Sequence, residues 1–299
     1  MQRHARTLLF VPGDRPDRFA RAAASGADGV LIDLEDAVAP QDKARAREAA
    51  AAWLTGHRAL VRVNATGTVW HDDDLAALAE APGLAGVVLP KSSTAPHVAS
   101  VVARLPPGAV LLALVESAVG LRDADAIAGV PGVGRLLFGS VDYALDVGVL
   151  PSEPGQPELD WARCSLVNAS RAAGLPAPLD GVYTRLDDER GLRESSLRAR
   201  ALGFGGRLCV HPAQIPTVHR AWRPTGEEVR WARRILEVAG DSLGAAVRVD
   251  GQMIDLPRLE WARGVLAPHQ DADARSRGPS GPGDDRPGGV GGSQRAADG

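Results

Sequence analysis

With 299 residues, 44% hydrophobic and 24% charged, the chain has the make-up of a globular protein with material for one large core or two small ones. A formal net charge of −3 supplies no basic field, so nucleic-acid and anionic-membrane partners are not expected. The two cysteines, Cys164 and Cys209, lack CxxC spacing, which argues against a thiolate metal site or a disulfide framework and fits a reducing cytoplasm.

The N-terminal stretch MQRHARTLLFVPGDRPDRF carries basic residues, but Pro12 and Gly13 cut its apolar run short. It reads neither as a signal peptide nor as an anchor, and no later run approaches a membrane span. In chain order, eight apolar runs then recur: TLLFVPG (7–13), GVLIDLED (29–36), ALVRVN (59–64), GVVLPK (86–91), AVLLALVES (109–117), RLLFGSVD (135–142), PLDGVYT (178–184) and GRLCVHP (206–212). Near-continuous apolar runs mark strands buried on both faces, as parallel strands are. Between them lie Ala-, Leu- and Arg-rich amphipathic stretches such as RPDRFARAAASGA and DERGLRESSLRARALG. Pro16 suits an early helical position in the first, and Gly26 lies just beyond its periodic part. Eight βα units at intervals of roughly 25 to 40 residues predict a (β/α)8 TIM barrel over residues 1–224. An open doubly wound sheet would carry a glycine-rich phosphate turn after its first strand, and VPGDRP is not one.

Residues 225–267 read as a C-terminal extension of two helices, joined by the short, extended, turn-like stretch AAVRVDGQMID. From Pro268 to the end the sequence has no aromatic residue and one large aliphatic, Val290. Such a segment cannot bury enough apolar surface to offset its ordering entropy, so a disordered tail is expected over 268–299.

In barrels of this kind chemistry gathers at the carboxyl ends of the strands. Strand two ends in Asp33, Glu35 and Asp36, strand three in Arg62 and Asn64, strand four in Lys91, strand five in Glu116 and Ser117, strand six in Asp142 and strand eight in His211. Carboxylates from three strands thus share a mouth with cations from two others. Oxygen ligation with no cysteine and little histidine suits Mg2+ or Mn2+, which would supply the positive charge the acidic cluster lacks. Plainer roles stand beside these. Asp36 reads equally as the cap of the following turn, and Glu116 or Asp142 as partners of a structural ion pair. Arg62 reads as a core-edge counter-ion, His211 as satisfying a backbone carbonyl and Cys209 as a small buried apolar residue. Trp161, Trp222, Trp231 and Trp261 fall in helix-like segments and read as packing residues.

Taken together, RTLLFVPGDRPDRFARA (6–22), GADGVLIDLEDAVAPQDKARAR (26–47), RVN (62–64), LPK (89–91), ESAVG (116–120), LLFGSVDYALDVG (136–148), GFGGRLCVHPAQI (203–215) and GQMID (251–255) resemble the HpcH/HpaI aldolase and citrate lyase β-subunit family, in particular its CoA-ester lyase branch. The resemblance spans residues 6 to about 266. It implies a (β/α)8 barrel with a C-terminal helical extension and lid, assembled as a homotrimer or hexamer with the lid shared between subunits. It implies Glu116 and Asp142 as direct Mg2+ ligands, with Glu35 and Asp36 holding the metal's waters. Arg62 is implied as a catalytic and substrate-binding residue, and Asp255 as an acid/base carried by the lid into a neighbouring subunit. Glu116 also faces the substrate on this view. CoA is expected to bind at the barrel mouth, and Arg15, placed there by the first βα loop, is a candidate contact for its phosphate. One departure is visible. Where relatives carry an acidic residue near the end of strand seven, this chain reads VYTRLDD, with Arg185 in that loop.

The expected activity is therefore a Mg2+-dependent carbon–carbon lyase that cleaves or forms a 3-hydroxyacyl-CoA thioester of the malyl-, citramalyl- or citryl-CoA type, giving an acyl-CoA and a 2-oxo acid. Two alternatives stay open: a metal-dependent aldolase on free oxo-acids and aldehydes, and a citrate lyase β-subunit that depends on an acyl-carrier partner.

Overall fold

The computed structural model describes residues 5–239 and 246–276. Eight parallel strands close into a barrel in sequence order, each beside its chain neighbour, with β1 completing the ring against β8. They are β1 (Thr7–Pro12), β2 (Gly29–Asp33), β3 (Ala59–Arg62), β4 (Leu84–Leu89), β5 (Val110–Val115), β6 (Val133–Phe138), β7 (Leu179–Asp180) and β8 (Gly206–Cys209). The eight sequence runs and the barrel they imply are thus present. The seventh is only two residues long, because its Pro-flanked run leaves extended pairing almost at once.

The helices that follow these strands are α1 (Phe19–Ala23), α2 (Lys43–Trp53), α3 (His71–Leu78), α4 (Ala95–Val102), α5 (Ala118–Arg122), α6 (Ala124–Ala128), α7 (Ser140–Val147), α8 (Asp160–Ala172), α9 (Glu189–Ala201) and α10 (Ile215–Ala221). Pro16 opens the short 3-10 turn before α1, and Gly26 takes the left-handed conformation that ends the segment, as the sequence predicts.

Strand periodicity sorts the core into two layers. One cluster takes side chains from every strand, among them Leu8, Leu31, Leu60, Val88, Leu112, Leu114, Leu137, Leu179 and Leu208. These fill the barrel interior. Their neighbours of opposite parity, such as Leu9, Ile32, Val61 and Leu136, join a larger cluster with Leu54, Val98 and Leu166 from the surrounding helical layer. Because side chains alternate, Asp33, Arg62 and Glu116 share the inward parity of Leu31, Leu60 and Leu114. Three charged residues therefore cap the apolar interior at the carboxyl end.

Residues from Pro224 onward form a second compact unit. It consists of α11 (Gly226–Ala239), a β-hairpin of β9 (Val247–Val249) and β10 (Gln252–Ile254), and α12 (Leu256–Ser276), around a core that includes Ala232, Ile235, Ile254, Leu259 and Ala262. The extended connection expected between the two helices is this hairpin. Its two-residue turn, Asp250–Gly251, has positive φ at both positions (47° and 85°), the conformation for which Asp-Gly is suited. The predicted tail boundary at 268 falls inside α12, which continues to Ser276. The remainder of that segment, 277–299, lies outside the described residues.

Candidate active site

The carboxyl-end mouth of the barrel holds a cavity of about 460 Å3. Its floor is apolar, from Phe10, Leu114, Phe138 and Leu208, and its rim carries Asp33, Asp36, Arg62, Glu116 and Asp142. Of the strand-end residues expected there, Asp33, Asp36, Arg62, Glu116 and Asp142 come together at this mouth.

Arg62 is the hub. Its guanidinium donates from Nε and Nη2 to the two oxygens of Asp33 (2.7 and 2.6 Å), a buried bidentate pair, and lies 5.0 Å from the centre of the Phe10 ring. Nη1 lies 2.9 Å from Glu35 Oε2 and 3.6 Å from Asp36 Oδ2. Burial works against its charge, but Asp33, Glu35 and Asp36 outweigh that and hold the guanidinium firmly protonated. Asp33 also accepts backbone N–H groups from Glu35 and Ala37, so it shapes the loop that presents the other two acids. The core-edge counter-ion reading of Arg62 is therefore realised, with Asp33 as its partner, while Nη1 is the guanidinium corner turned toward Glu35 and Asp36.

Glu116 is 4% exposed. Its Oε1 accepts the backbone N–H of Lys91 (2.7 Å). No Arg62–Glu116 ion pair forms among the described residues. Burial, reinforced by the nearby charges of Glu35 and Asp142, pushes the Glu116 carboxyl up to about 8. Glu35 is likewise raised, by burial against the pull of Arg62 and Lys91. Asp142 stands in the first turn of α7, just after Gly139, where a Cβ would overlap Cβ and Oε2 of Glu116. The close approach that Gly139 suggests in the sequence is thus toward Glu116 itself.

Two features were not read from the sequence. Lys43, at the start of α2, is buried and donates through Nζ to the carbonyls of Leu34 and Glu35 (2.7 Å each), pinning the acidic loop from below. Burial lowers its pKa despite the nearby acids. Lys91, noted only as a strand-end cation, reaches Glu35 Oε1 with Nζ (2.9 Å). A lysine spaced ten residues from Asp33 gives no sequence signal of this kind; only the return of α2 beneath the loop creates it.

Other strand-end residues serve the scaffold. Asn64 donates to Asp74 of α3, and Ser117 caps α5 by accepting from Gly120. Among the described residues His211 meets no carbonyl. Its Nδ1 accepts the Ala213 N–H (3.2 Å) in a capping box with Gln214. Asp36 caps no helix and is largely exposed near Arg62. Asp180, at the end of β7, has outward parity and binds Arg163 of α8 and Arg207 of β8. Arg185 is exposed and lies 3.9 Å from Asp188, which caps α9. Arg15 is exposed and closed on Asp17 by two hydrogen bonds (2.9 and 2.8 Å). In the second unit, Asp255 precedes α12 and accepts the Arg258 N–H (3.3 Å). Cys209 is fully buried, Trp222 is buried, and Trp231 and Trp261 pack on the second unit's core. Trp161, at 72% exposed, departs from the packing role expected of it.

Two carboxylates from adjacent strand ends, beside an arginine already neutralised by others, suit a cation that completes its shell with water and substrate oxygens. Among the described residues no group of three or more His, Cys, Asp or Glu side chains could hold a metal alone. A donor set of two carboxylates, with oxygen ligands throughout, suits magnesium rather than a protein-caged zinc. The raised Glu116 carboxyl fits such an ion, whose charge would favour the ionised form that burial disfavours.

The profile of the HpcH/HpaI aldolase/citrate lyase family matches residues 6–212. The chain belongs to this family. A citrate lyase subunit beta-like protein of Deinococcus radiodurans is 37% identical over 280 residues, which cover 88% of this chain and 96% of that one. A (3S)-malyl-CoA thioesterase of Cereibacter sphaeroides is 34% identical over 271 residues, 88% of this chain and 93% of that one. Among solved structures, CitE of Mycobacterium tuberculosis in complex with magnesium, acetoacetate and coenzyme A matches with a TM-score of 0.80 and 37% identity, covering 89% of this chain and 98% of that one. Membership places this barrel among the carbon–carbon lyases. Among the described residues no helix is long and apolar enough to cross a membrane.

Proposed function

We propose that this protein is a magnesium-dependent lyase that cleaves, or in reverse forms, the carbon–carbon bond of a 3-hydroxyacyl-CoA thioester, with an acyl-CoA and a 2-oxo acid as the other partners. The observation that carries the reading is the placement of Glu116 and Asp142 together on the rim of a cavity whose floor is apolar. Magnesium between them, held with the help of Glu35 and Asp36 through water, would act as a Lewis acid on the oxygens of the oxo-acid half. The CitE relative crystallised with magnesium, acetoacetate and coenzyme A supports the same assignment here.

The chain's own residues supply the rest. Arg62, oriented by Asp33 and backed by Phe10, presents Nη1 toward the rim and would stabilise negative charge developing on the substrate. In cleavage the hydroxyl would give its proton to solvent water, its oxygen would become the carbonyl of the 2-oxo acid as the carbon–carbon bond breaks, and the electrons of that bond would pass to the thioester as an enolate. Asp255 would pass a proton drawn from solvent to that carbon; in condensation it would remove one. The hairpin that ends in Asp255 supports a lid role, reaching a neighbouring subunit of a homotrimer or hexamer. The apolar floor would exclude water from the enolate. Arg15 would have to exchange Asp17 for a CoA phosphate.

The test is a panel of malyl-, citramalyl- and citryl-CoA, assayed for acyl-CoA and oxo-acid release with and without Mg2+. Release that needs Mg2+ is expected, and Glu116→Gln or Asp142→Asn should lower kcat/KM by about 10²-fold or more. Equal turnover in the presence of a chelator would refute the reading. The similarity to a (3S)-malyl-CoA thioesterase favours one second reading, hydrolysis. That activity would release free CoA and the intact hydroxy acid, with no acyl-CoA. Turnover of free oxo-acids with aldehydes, or of carrier-bound substrate only, would instead select the aldolase or the β-subunit alternative.

A further inference from the structure

Lys91 is a lysine in a conformation that ordinarily favours glycine. It follows β4 with φ +50°, in the left-handed region, although its stem gains no burial from being there: the side chain is 53% exposed. Two contacts account for the position. The left-handed turn aims the Lys91 N–H at Glu116 Oε1 (2.7 Å), and the same residue sends Nζ to Glu35 Oε1 (2.9 Å). Both neighbouring elements fix the turn. The Ser92 N–H donates to the Leu114 carbonyl (3.1 Å), and Ser92 Oγ donates to the Leu89 carbonyl (2.9 Å). The Ser92 carbonyl in turn lies where a Cβ on Gly120 would stand. A glycine at 91 would make the first contact without strain but not the second. A lysine in ordinary helical or extended geometry would lose the first. The result is one continuous chain of opposite charges and hydrogen bonds across four strand ends: Asp33, Arg62, Glu35, Lys91, Glu116. Strain of this kind persists only where the surroundings over-determine it.

We propose that Lys91 is a positioning residue, which locks Glu116 through its main-chain N–H and Glu35 through its ammonium so that the two carboxylates address one cation. The inference rests on the reading of Glu116 as a ligand of that cation. If the ammonium acted only as a nearby positive charge, its removal would tighten binding of a divalent cation, since the site would become more negative. If it orients Glu35, removal weakens binding. Orienting partners of this kind are typically worth about 10- to 100-fold in metal affinity or activity.

The experiment is titration of the metal-free full-length protein with Mg2+ by calorimetry, for wild type, Lys91→Met, Lys91→Gly, Lys91→Arg, Glu35→Gln and the Glu35→Gln/Lys91→Met double variant. Thermal melts and, for a substrate that is turned over, kcat and KM accompany it. Lys91→Met and Lys91→Gly should weaken Mg2+ by about tenfold, while Lys91→Arg stays within about threefold of wild type. The double variant should be no weaker than Glu35→Gln alone, because Lys91 acts through Glu35. Lys91→Gly, which relieves the left-handed strain, should melt no lower than wild type, separating positioning from a purely structural role. The loss in turnover should fall on kcat at saturating Mg2+, with KM for the thioester little changed. Unchanged or tighter Mg2+ binding in Lys91→Met, or additive losses in the double variant, would overturn the role of Lys91 and leave the metal site standing. A wild-type protein that binds no Mg2+ would overturn both.

Discussion

Glu116 is buried beside two other carboxylates, with one backbone N–H to stabilise its charge. Its carboxyl is therefore displaced upward from 4.5 to about 8 in the metal-free protein. A folded-state value above the unfolded one contributes stability that is complete below the unfolded value and is lost as pH rises through the folded one. The metal-free protein is accordingly expected to lose stability between about pH 5 and 8 relative to Glu116→Gln, as followed by thermal melts. Mg2+ should reverse the trend, because it binds the ionised form and releases a proton near neutrality. A melting profile identical in the two proteins would contradict this. Asp33 offers a second residue-scale test. It is the buried bidentate partner of Arg62, so Asp33→Ala strips two of the guanidinium's hydrogen bonds, leaves it only Glu35 and Asp36, and should cost about 3 kcal/mol in denaturant unfolding. The sequence shows acids crowding the end of the second run but does not say which of them faces a cation inside the barrel. Parity resolves it. Asp33 and Arg62 each follow an interior leucine by two positions, and that spacing is legible only once the strands are placed.

At the scale of elements, the eight strands are legible because parallel strands buried on both faces leave uninterrupted apolar runs. The seventh run is longer than its strand for a physical reason: GVYT continues the apolar pattern and Val182 still packs on the barrel interior, but strand pairing ends at Asp180, whose acid joins Arg163 and Arg207. The hairpin between α11 and α12 carries the Asp-Gly turn signal in plain view, but its strands of three residues each are too short for periodicity to separate from a loop. The passage from β6 into α7 carries the most demanding local constraint. Gly139 lets the backbone pass against Glu116 and so places Asp142 in the next turn. Gly139→Ala must displace Glu116. It is expected to weaken Mg2+ at least about tenfold and to lower activity in step, with the barrel still folded by circular dichroism. Wild-type Mg2+ affinity in this variant would show that the contact does not matter.

For the whole molecule, the barrel carries the proposed metal and substrate residues, and the second unit carries the proposed acid, Asp255. If that acid serves a neighbouring subunit, Glu116→Gln and Asp255→Asn are each inactive alone yet complement when co-assembled. In a cyclic homotrimer mixed at random, about a quarter of the sites then carry both native residues. Activity near that fraction of wild type is expected from co-refolded variants, and none from variants mixed without subunit exchange. Persistent inactivity after exchange would place the acid within its own chain or elsewhere. The account as a whole depends on one cation gathered by Glu116 and Asp142. Its most direct test is the anomalous difference map of a crystal soaked in Mn2+, which replaces Mg2+ at oxygen sites. The expected result is a single strong peak bridging the Glu116 and Asp142 carboxylates at the barrel mouth. Full occupancy at another place, or those two side chains turned apart with no peak between them, would contradict it.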